Sequence, residues 1–234
     1  MDIVKIQSLI AQGRVVEATD INADETFLQV GVYQPNNRRV GSGNADTYAP
    51  FAIALSQLGA SYKYEIGQYV NSEGGVIFHR WLSKTPGTEP TSGTVQNYLV
   101  MSANNAGNAP WGLVSTNVTN CESTWDGISN TNAITAAGGL PTDAAGICLA
   151  YSNLGKSDWY LPSIDELNKI WINRRDIAQG LIVGSGSPIT SSKYWSSTES
   201  NTANAYSLEF AVGLMGGSGK TNNMIVLPVR TFSI

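Results

Sequence analysis

Charge is scarce in this chain. Only 14% of its 234 residues are Asp, Glu, Lys or Arg, and the formal net charge is −4. A surface that grips nucleic acid needs clustered Lys and Arg, and no such patch is encoded. Histidine occurs once and cysteine twice, too few for a usual zinc site without several carboxylates. No apolar run is long enough to cross a bilayer. From Met1 to Ile10 polar residues interrupt every apolar pair, so the apolar core of an export signal, about 7–15 residues, is missing. The expectation is a protein made and kept in the cytoplasm until assembly, or one whose signal has been removed. No heptad, Gly-X-Y period or longer repeat is visible, which excludes a long fibrous stalk in this stretch.

Motifs that carry chemistry fail on spacing. Gly213 to Thr221 ends in Gly219-Lys220-Thr221, like a phosphate-binding loop. The pattern G-x-x-x-x-G-K-[ST] needs glycine where Leu214 stands. It also needs a following helix, whereas Asn222, Asn223 and the apolar stretch Met224 to Val229 come next. The segment reads as a flexible hairpin loop with an exposed Lys220. No G-x-S-x-G elbow occurs. His79 lies in the alternating segment Gly74 to Trp81 and reads as a surface or packing residue. Cys121 falls in a loop and Cys148 on an apolar helical face, where it reads as a small buried hydrophobe. A disulfide would require the two to meet in space; two free thiols are expected for a chain made inside a cell. The chain reads as a binding protein with no cofactor and no enzymatic function, although a calcium site built from Asp, Asn and carbonyls needs no short motif and stays open.

Glycine is plentiful, at 24 residues, and Ser, Thr and Asn crowd the second half. Turns demand these types, so the composition fits a loop-rich protein with a polar, weakly charged surface. The length suits one domain of ordinary size, 61–234, preceded by a small region, 1–60. In that region Ile3, Ile6, Leu9 and Ile10 form a short helical stripe, Thr26 to Tyr33 reads as a strand, Gln34 to Asp46 as a polar loop and Tyr48 to Leu58 as a helix. It is too small for a large core of its own and is expected to serve attachment or oligomerisation. Further on, Asn97 to Val100 reads as a strand, and Thr142 caps a helix holding Ile147, Cys148 and Tyr151. Pro162 disfavours helix at Leu161, Ser163 and Glu166 have capping-box spacing, and Leu167, Ile170 and Trp171 then share one helical face. Lys193 to Thr198, Ala205 to Val212 and Asn223 to Phe232 read as strands of a small antiparallel sheet.

The order Trp159-x-Leu161-Pro162-Ser163-x-x-Glu166-Leu167, Tyr194-Trp195-Ser196-Ser197-Thr198, Ala205-Tyr206-x-Leu208-Glu209-Phe210 and Leu227-Pro228-Val229-Arg230 resembles the lectin-like domain at the C-terminus of the collagen-like adhesin Lcl. That family occurs in bacterial surface proteins and phage proteins. Tyr69 to Phe78, Trp125 to Ile134 and Ala144 to Tyr151 resemble its earlier pieces, so the resemblance runs from about Ile66 to Ile234. It implies an α+β fold of the C-type-lectin type, with two helices and small antiparallel sheets amid loops; the first sixty residues do not share the resemblance and read as a small α/β attachment region. The Glu-Pro-Asn or Gln-Pro-Asp tripeptide and the Trp-Asn-Asp triplet of calcium-dependent sugar binders are absent. Trp159, Trp171 and Trp195 fall in the family's core motifs, whereas Trp81, Trp111 and Trp125 sit near loops, where aromatics either pack or stack on sugars.

Ligands of such domains generally meet the loops near the C-terminal sheet. Carried over by position, the candidate ligand-binding residues are Glu199, Asn201, Asn204, Tyr206, Met215, Lys220, Asn222 and Asn223. The expected function is a phage virion structural protein, of head or tail fibre or spike type, whose lectin-like domain binds a host-surface glycan or protein. Its expected partners are other virion proteins and further copies of itself, a trimer first. The alternatives are an architectural capsid or tail decoration protein and a bacterial surface adhesin, extracellular or on the cell surface.

Overall fold

The computed structural model describes residues 27–31, 50–54, 62–88, 90 and 93–234. The chain divides into two compact units, Met1–Tyr62 and Lys63–Ile234. In the first, β1 (Phe27–Gly31) pairs antiparallel with β2 (Pro50–Ala54). β1 falls inside the strand expected there. β2 corrects the expected helix over 48–58: a short apolar run has no period that separates a helix from a strand. The stripe of Ile3, Ile6, Leu9 and Ile10 and the loop 34–46 lie outside the described residues.

The second unit is α+β. Its described residues hold four helices, not two: α1 (Gly127–Ala136), α2 (Ala144–Ala150), α3 (Ile164–Ile172) and α4 (Arg174–Val183). They pack with two sheets. The first contains β3 (Tyr69–Val70), β4 (Gly75–Ser83), β5 (Val95–Ser102) and, last in the chain, β11 (Val229–Ser233), in the antiparallel order β11-β5-β4-β3. The second contains β6 (Asn108–Ala109), β7 (Lys193–Glu199), β8 (Asn204–Glu209), β9 (Leu214–Gly219) and β10 (Met224–Ile225), in the order β6-β10-β7-β8-β9, with β10 parallel to β7.

Alternation along the strands of the second sheet divides the core in two. Tyr194, Leu208 and Phe210 face a large cluster with Val76, Phe78, Leu99 and Met101 of the first sheet, Ile164, Leu167 and Ile170 of α3, and Ile177 and Leu181 of α4. Trp195 and Ala205 point the other way, onto Ile134 of α1, Ala144, Ala145 and Cys148 of α2, and the loop residues Trp111, Val118 and Cys121. Gly180 of α4 comes so close to the backbone of Gly67 that a Cβ there would lie 2.2 Å from its carbonyl oxygen.

The expected strand from Asn223 to Phe232 is broken. β10 belongs to one sheet and β11 to the other, and Val226 to Pro228 crosses between them. Pro228 has no N–H to give a ladder, while its carbonyl accepts from Ser102 at 2.9 Å. The helix expected after Thr142 starts one residue later than a Thr142 cap would require: Asp143 is the N-cap, and its carboxylate accepts from Leu140 N–H instead.

α3 starts as its sequence dictates. Ser163 Oγ accepts from Glu166 N–H, and Glu166 Oε2 accepts from Ser163 N–H at 2.8 Å. Glu166 is buried, and its Oε1 accepts from the Tyr160 hydroxyl at 2.7 Å. Burial raises its pKa to about 7, although the hydrogen bonds from Ser163 and Tyr160 oppose the shift. A carboxyl raised in the fold contributes stability below its free pKa near 4.5, and that contribution is lost as pH rises through about 7. The full swing is on the order of 3 kcal/mol. His79 acts oppositely: burial, with Lys169 nearby, lowers it to about 4, so its contribution grows as pH rises toward 6.5. The two offset each other between pH 4.5 and 6.5 in the wild-type chain. Glu166→Gln, whose oxygen can accept from Ser163 N–H while its Nε2 donates to the Tyr160 hydroxyl, should therefore gain stability relative to wild type as pH rises from 5 to 8. Parallel urea-midpoint profiles for the two proteins would refute this.

Candidate functional site

The β8–β9 hairpin gathers five of the eight expected ligand residues at one end. Asn204 pairs with Gly219 in the ladder, which sets the 200–203 turn beside the 220–223 turn. Asn201 shapes the first turn: its Oδ1 accepts from Ala203 N–H and Asn204 N–H, both at 2.9 Å, and from Asn204 Nδ2 at 3.1 Å. Short polar side chains favour turns by this kind of local bond. Asn222 N–H closes the second turn on Gly219 O at 2.9 Å. Asn222 and Asn223 are exposed and, with Asn108, Ser192 and Lys193, line a shallow polar depression of about 620 Å³.

Lys220 is the fifth, and it is not exposed. Its side chain is fully buried, and its Nζ pairs with Glu199 Oε1, also buried. Nζ also donates to Thr116 O at 2.8 Å and lies 4.6 Å from the centre of the Trp111 ring. The Glu199 carboxylate accepts from Val118 N–H at 3.0 Å. The backbone repeats the connection: Glu199 N–H donates to Cys121 O at 2.7 Å, and Trp111 N–H to Lys220 O at 2.9 Å. Together these bonds clamp the 111–121 loop over the end of the second sheet. The expectation that Glu199 and Lys220 touch a ligand is corrected: each is enclosed by that loop and spends its charge on the other. The expected loop from Gly213 to Thr221 is mostly β9, because backbone pairing with β8 supplies order that the Gly-rich sequence does not advertise.

Two other residues stand apart. Tyr206 is half-buried and packs on the large core cluster, so it is not an outward strand residue. Met215 is 45% exposed but lies four residues up β9 from Gly219, about 13 Å away. It joins the exposed Leu214 on β9, at the edge of the second sheet, and the exposed Val212 in the turn before it. The polar loop end that survives is therefore Asn201, Asn204, Asn222 and Asn223.

Trp159 and Trp195 are buried, and Trp171 is half-buried with its indole N–H on Phe210 O at 3.2 Å. Trp111, placed near a loop by sequence, is fully buried and donates to Ser196 O at 2.9 Å. Cys121 and Cys148 are free and buried. Burial, with the Glu199 charge adding to it, pushes the Cys121 thiol up to about 12, and burial alone pushes Cys148 well up. Both stay protonated at neutral pH and are poor nucleophiles. Among the described residues no group of His, Cys, Asp and Glu is arranged to hold a metal ion, and no helix is long and apolar enough to cross a membrane.

The family model of the Lcl C-terminal domain matches residues 83–230. The matched span contains the helices, the second sheet and the 111–121 loop, and begins after β3 and most of β4. No curated protein matches the chain.

Proposed function

The chain belongs to the Lcl C-terminal domain family, and from that premise we propose that it is an adhesin-like surface protein whose C-type-lectin-like domain binds a glycan or protein on a host surface. The observation that carries this reading is the clamped loop end. A buried ion pair fixes the backbone beneath Asn201, Asn204, Asn222 and Asn223, so the polar side chains are presented without the cost of ordering loops on binding. Their role is hydrogen bonding rather than chemistry. The protein is carried on a phage virion as a fibre- or spike-like component, or on a bacterial surface, and assembles as a homotrimer through residues 1–60.

A test uses the full chain on immobilised glycans and on intact cells, with light scattering on the same preparation. Asn222→Ala/Asn223→Ala should weaken cell or glycan binding at least tenfold without changing the melting temperature. Absence of any binding, or unchanged binding by the variant, would sink the reading.

A second reading, architectural decoration of a capsid or tail, is favoured by the β9 edge. Leu214 and Met215 are 63% and 45% exposed on β9, which has no outer partner among the described residues, and an open strand edge is a template for pairing with another chain. A trimer in light scattering that persists in the loop variant while no surface binding is found would favour it.

A further inference from the structure

The cleft between the first sheet and the start of α1 has the makings of a ligand site, and none of the eight candidates carried over to the C-terminal loops lies in it. It measures about 370 Å³, at the small end of the range for small-molecule sites. One wall comes from β4. The ladder slips between Ile77 and His79, so Phe78 is the extra residue of a β-bulge. Phe78 stays in the core, and His79 and Trp81, two residues apart, share a face of the strand. Their rings stack at 5.6 Å with an interplanar angle of 21°. The Trp81 indole N–H is held by Thr88 O at 2.8 Å, which fixes the ring.

The opposite wall is Trp125, just before the Asp126 N-cap of α1. It is 61% exposed. The chain has six tryptophans, and the other five each donate their indole N–H to a backbone carbonyl. Trp125 has no such acceptor among the described residues. Leaving so large an apolar ring in water costs burial that any packed position would supply. Asp126, Glu166 and Lys169 also line the cleft, and Lys169 makes no ion pair among the described residues.

We propose that this cleft is a second binding site, which takes a neutral pyranose ring of a glycan between Trp125 and the His79–Trp81 stack. A sugar ring offers an apolar C–H face to each aromatic wall. Its hydroxyls both donate and accept, which matches a lining that holds an acceptor, Asp126, beside donors, Lys169 and the Trp125 N–H. The Asp126 carboxylate beside a single ammonium leaves no excess positive charge for a sulfated or carboxylated sugar. Neutral His79, its pKa lowered to about 4 by burial and by Lys169, adds no positive charge at physiological pH.

The test titrates the full chain with neutral oligosaccharides (N-acetylchitotriose, maltotriose, galactobiose) and with the anionic sialyllactose and a heparin tetrasaccharide, read by calorimetry and tryptophan emission. At least one neutral sugar should bind with a blue shift in emission. Trp125→Ala should weaken it at least tenfold and Trp125→Phe by less, with melting temperatures unchanged because the ring is exposed. Asn222→Ala/Asn223→Ala should leave this binding intact, which separates failure of this site from failure of the loop end. Binding of none of the neutral sugars, a preference for the anionic ones, or full affinity in Trp125→Ala would overturn the proposal.

Discussion

Lys220→Met should lower the unfolding free energy by about 3–5 kcal/mol, read by urea denaturation at pH 7. The magnitude follows from what is left behind rather than from what is lost. Methionine fills much of the same volume, but Glu199 then remains buried with its charge unmatched, holding only the Val118 N–H bonds. The carbonyls of Leu113 and Thr116 lose their donor as well. The double variant Lys220→Met/Glu199→Gln removes both charges while the glutamine oxygen still accepts from Val118. It should be more stable than Lys220→Met alone by about 2 kcal/mol or more, giving a coupling energy at the upper part of the range for residues in contact. A single variant within about 1 kcal/mol of wild type would mean that the pair is not enclosed as described. Hydrogen exchange should show the damage centred on the 111–121 loop.

Arg230→Ala should cost about 2–3 kcal/mol, less than Lys220→Met, because Asp158 is 56% exposed and Glu73 keeps Lys156 at 3.3 Å. Arg230 is 4% exposed, on the strand β11. Its Nε and Nη2 make a bidentate pair with Asp158 at 2.7 and 2.8 Å, and Nη1 reaches Glu73 at 2.6 Å. It thus connects the last strand to the segment before α3 and to the turn before β4. Arg230→Lys keeps the charge but cannot fork, so it should still lose about 2 kcal/mol. Equal stability of Arg230→Lys and wild type would refute the bidentate role. Burial raises the Asp158 pKa, but the Arg230 hydrogen bonds and charge outweigh that and hold the carboxyl below its usual range. Stability from this contact is present above the free carboxylate pKa and lost as pH falls through the lowered one. Arg230→Ala should accordingly flatten the acid limb of the stability profile.

Lys220 and Arg230 illustrate what the sequence could and could not tell. α3 was legible because its signals are local: Pro162, the Ser163–Glu166 box and the Leu167–Ile170 stripe lie within nine residues. β7 was legible from its adjacent aromatics Tyr194 and Trp195, and β8 because Tyr206 and Leu208 alternate with Ser207 and Glu209. The family was legible from these motifs together. β9 was not, since Leu214 to Gly219 carries three glycines and no β-branched residue, and its order comes from a neighbour. The burial of Lys220 was opaque for the same reason. Glycine, serine and asparagine around a lysine describe an exposed loop, and the carboxylate that neutralises it stands 21 positions away. Asn222 and Asn223 could be placed outward because nothing distant competes for them. The cleft at Trp125 was half visible: sequence put Trp81 and Trp125 near loops, but only folding could show that they face one space.

The crossing of Val226 to Pro228 between the sheets also bears on how the domain is made. On a ribosome, β4 and β5 emerge more than a hundred residues before β11, yet β11 pairs with β5, and β10 sits between β6 and β7. Neither sheet can close until β10 and β11 have left the exit tunnel. The domain therefore folds only once its whole span from β4 to β11 has emerged, through contacts of long sequence separation that form slowly. Until then its two hydrophobic faces are open at once, and crowded synthesis at high copy number would be the condition under which this chain is most exposed to aggregation.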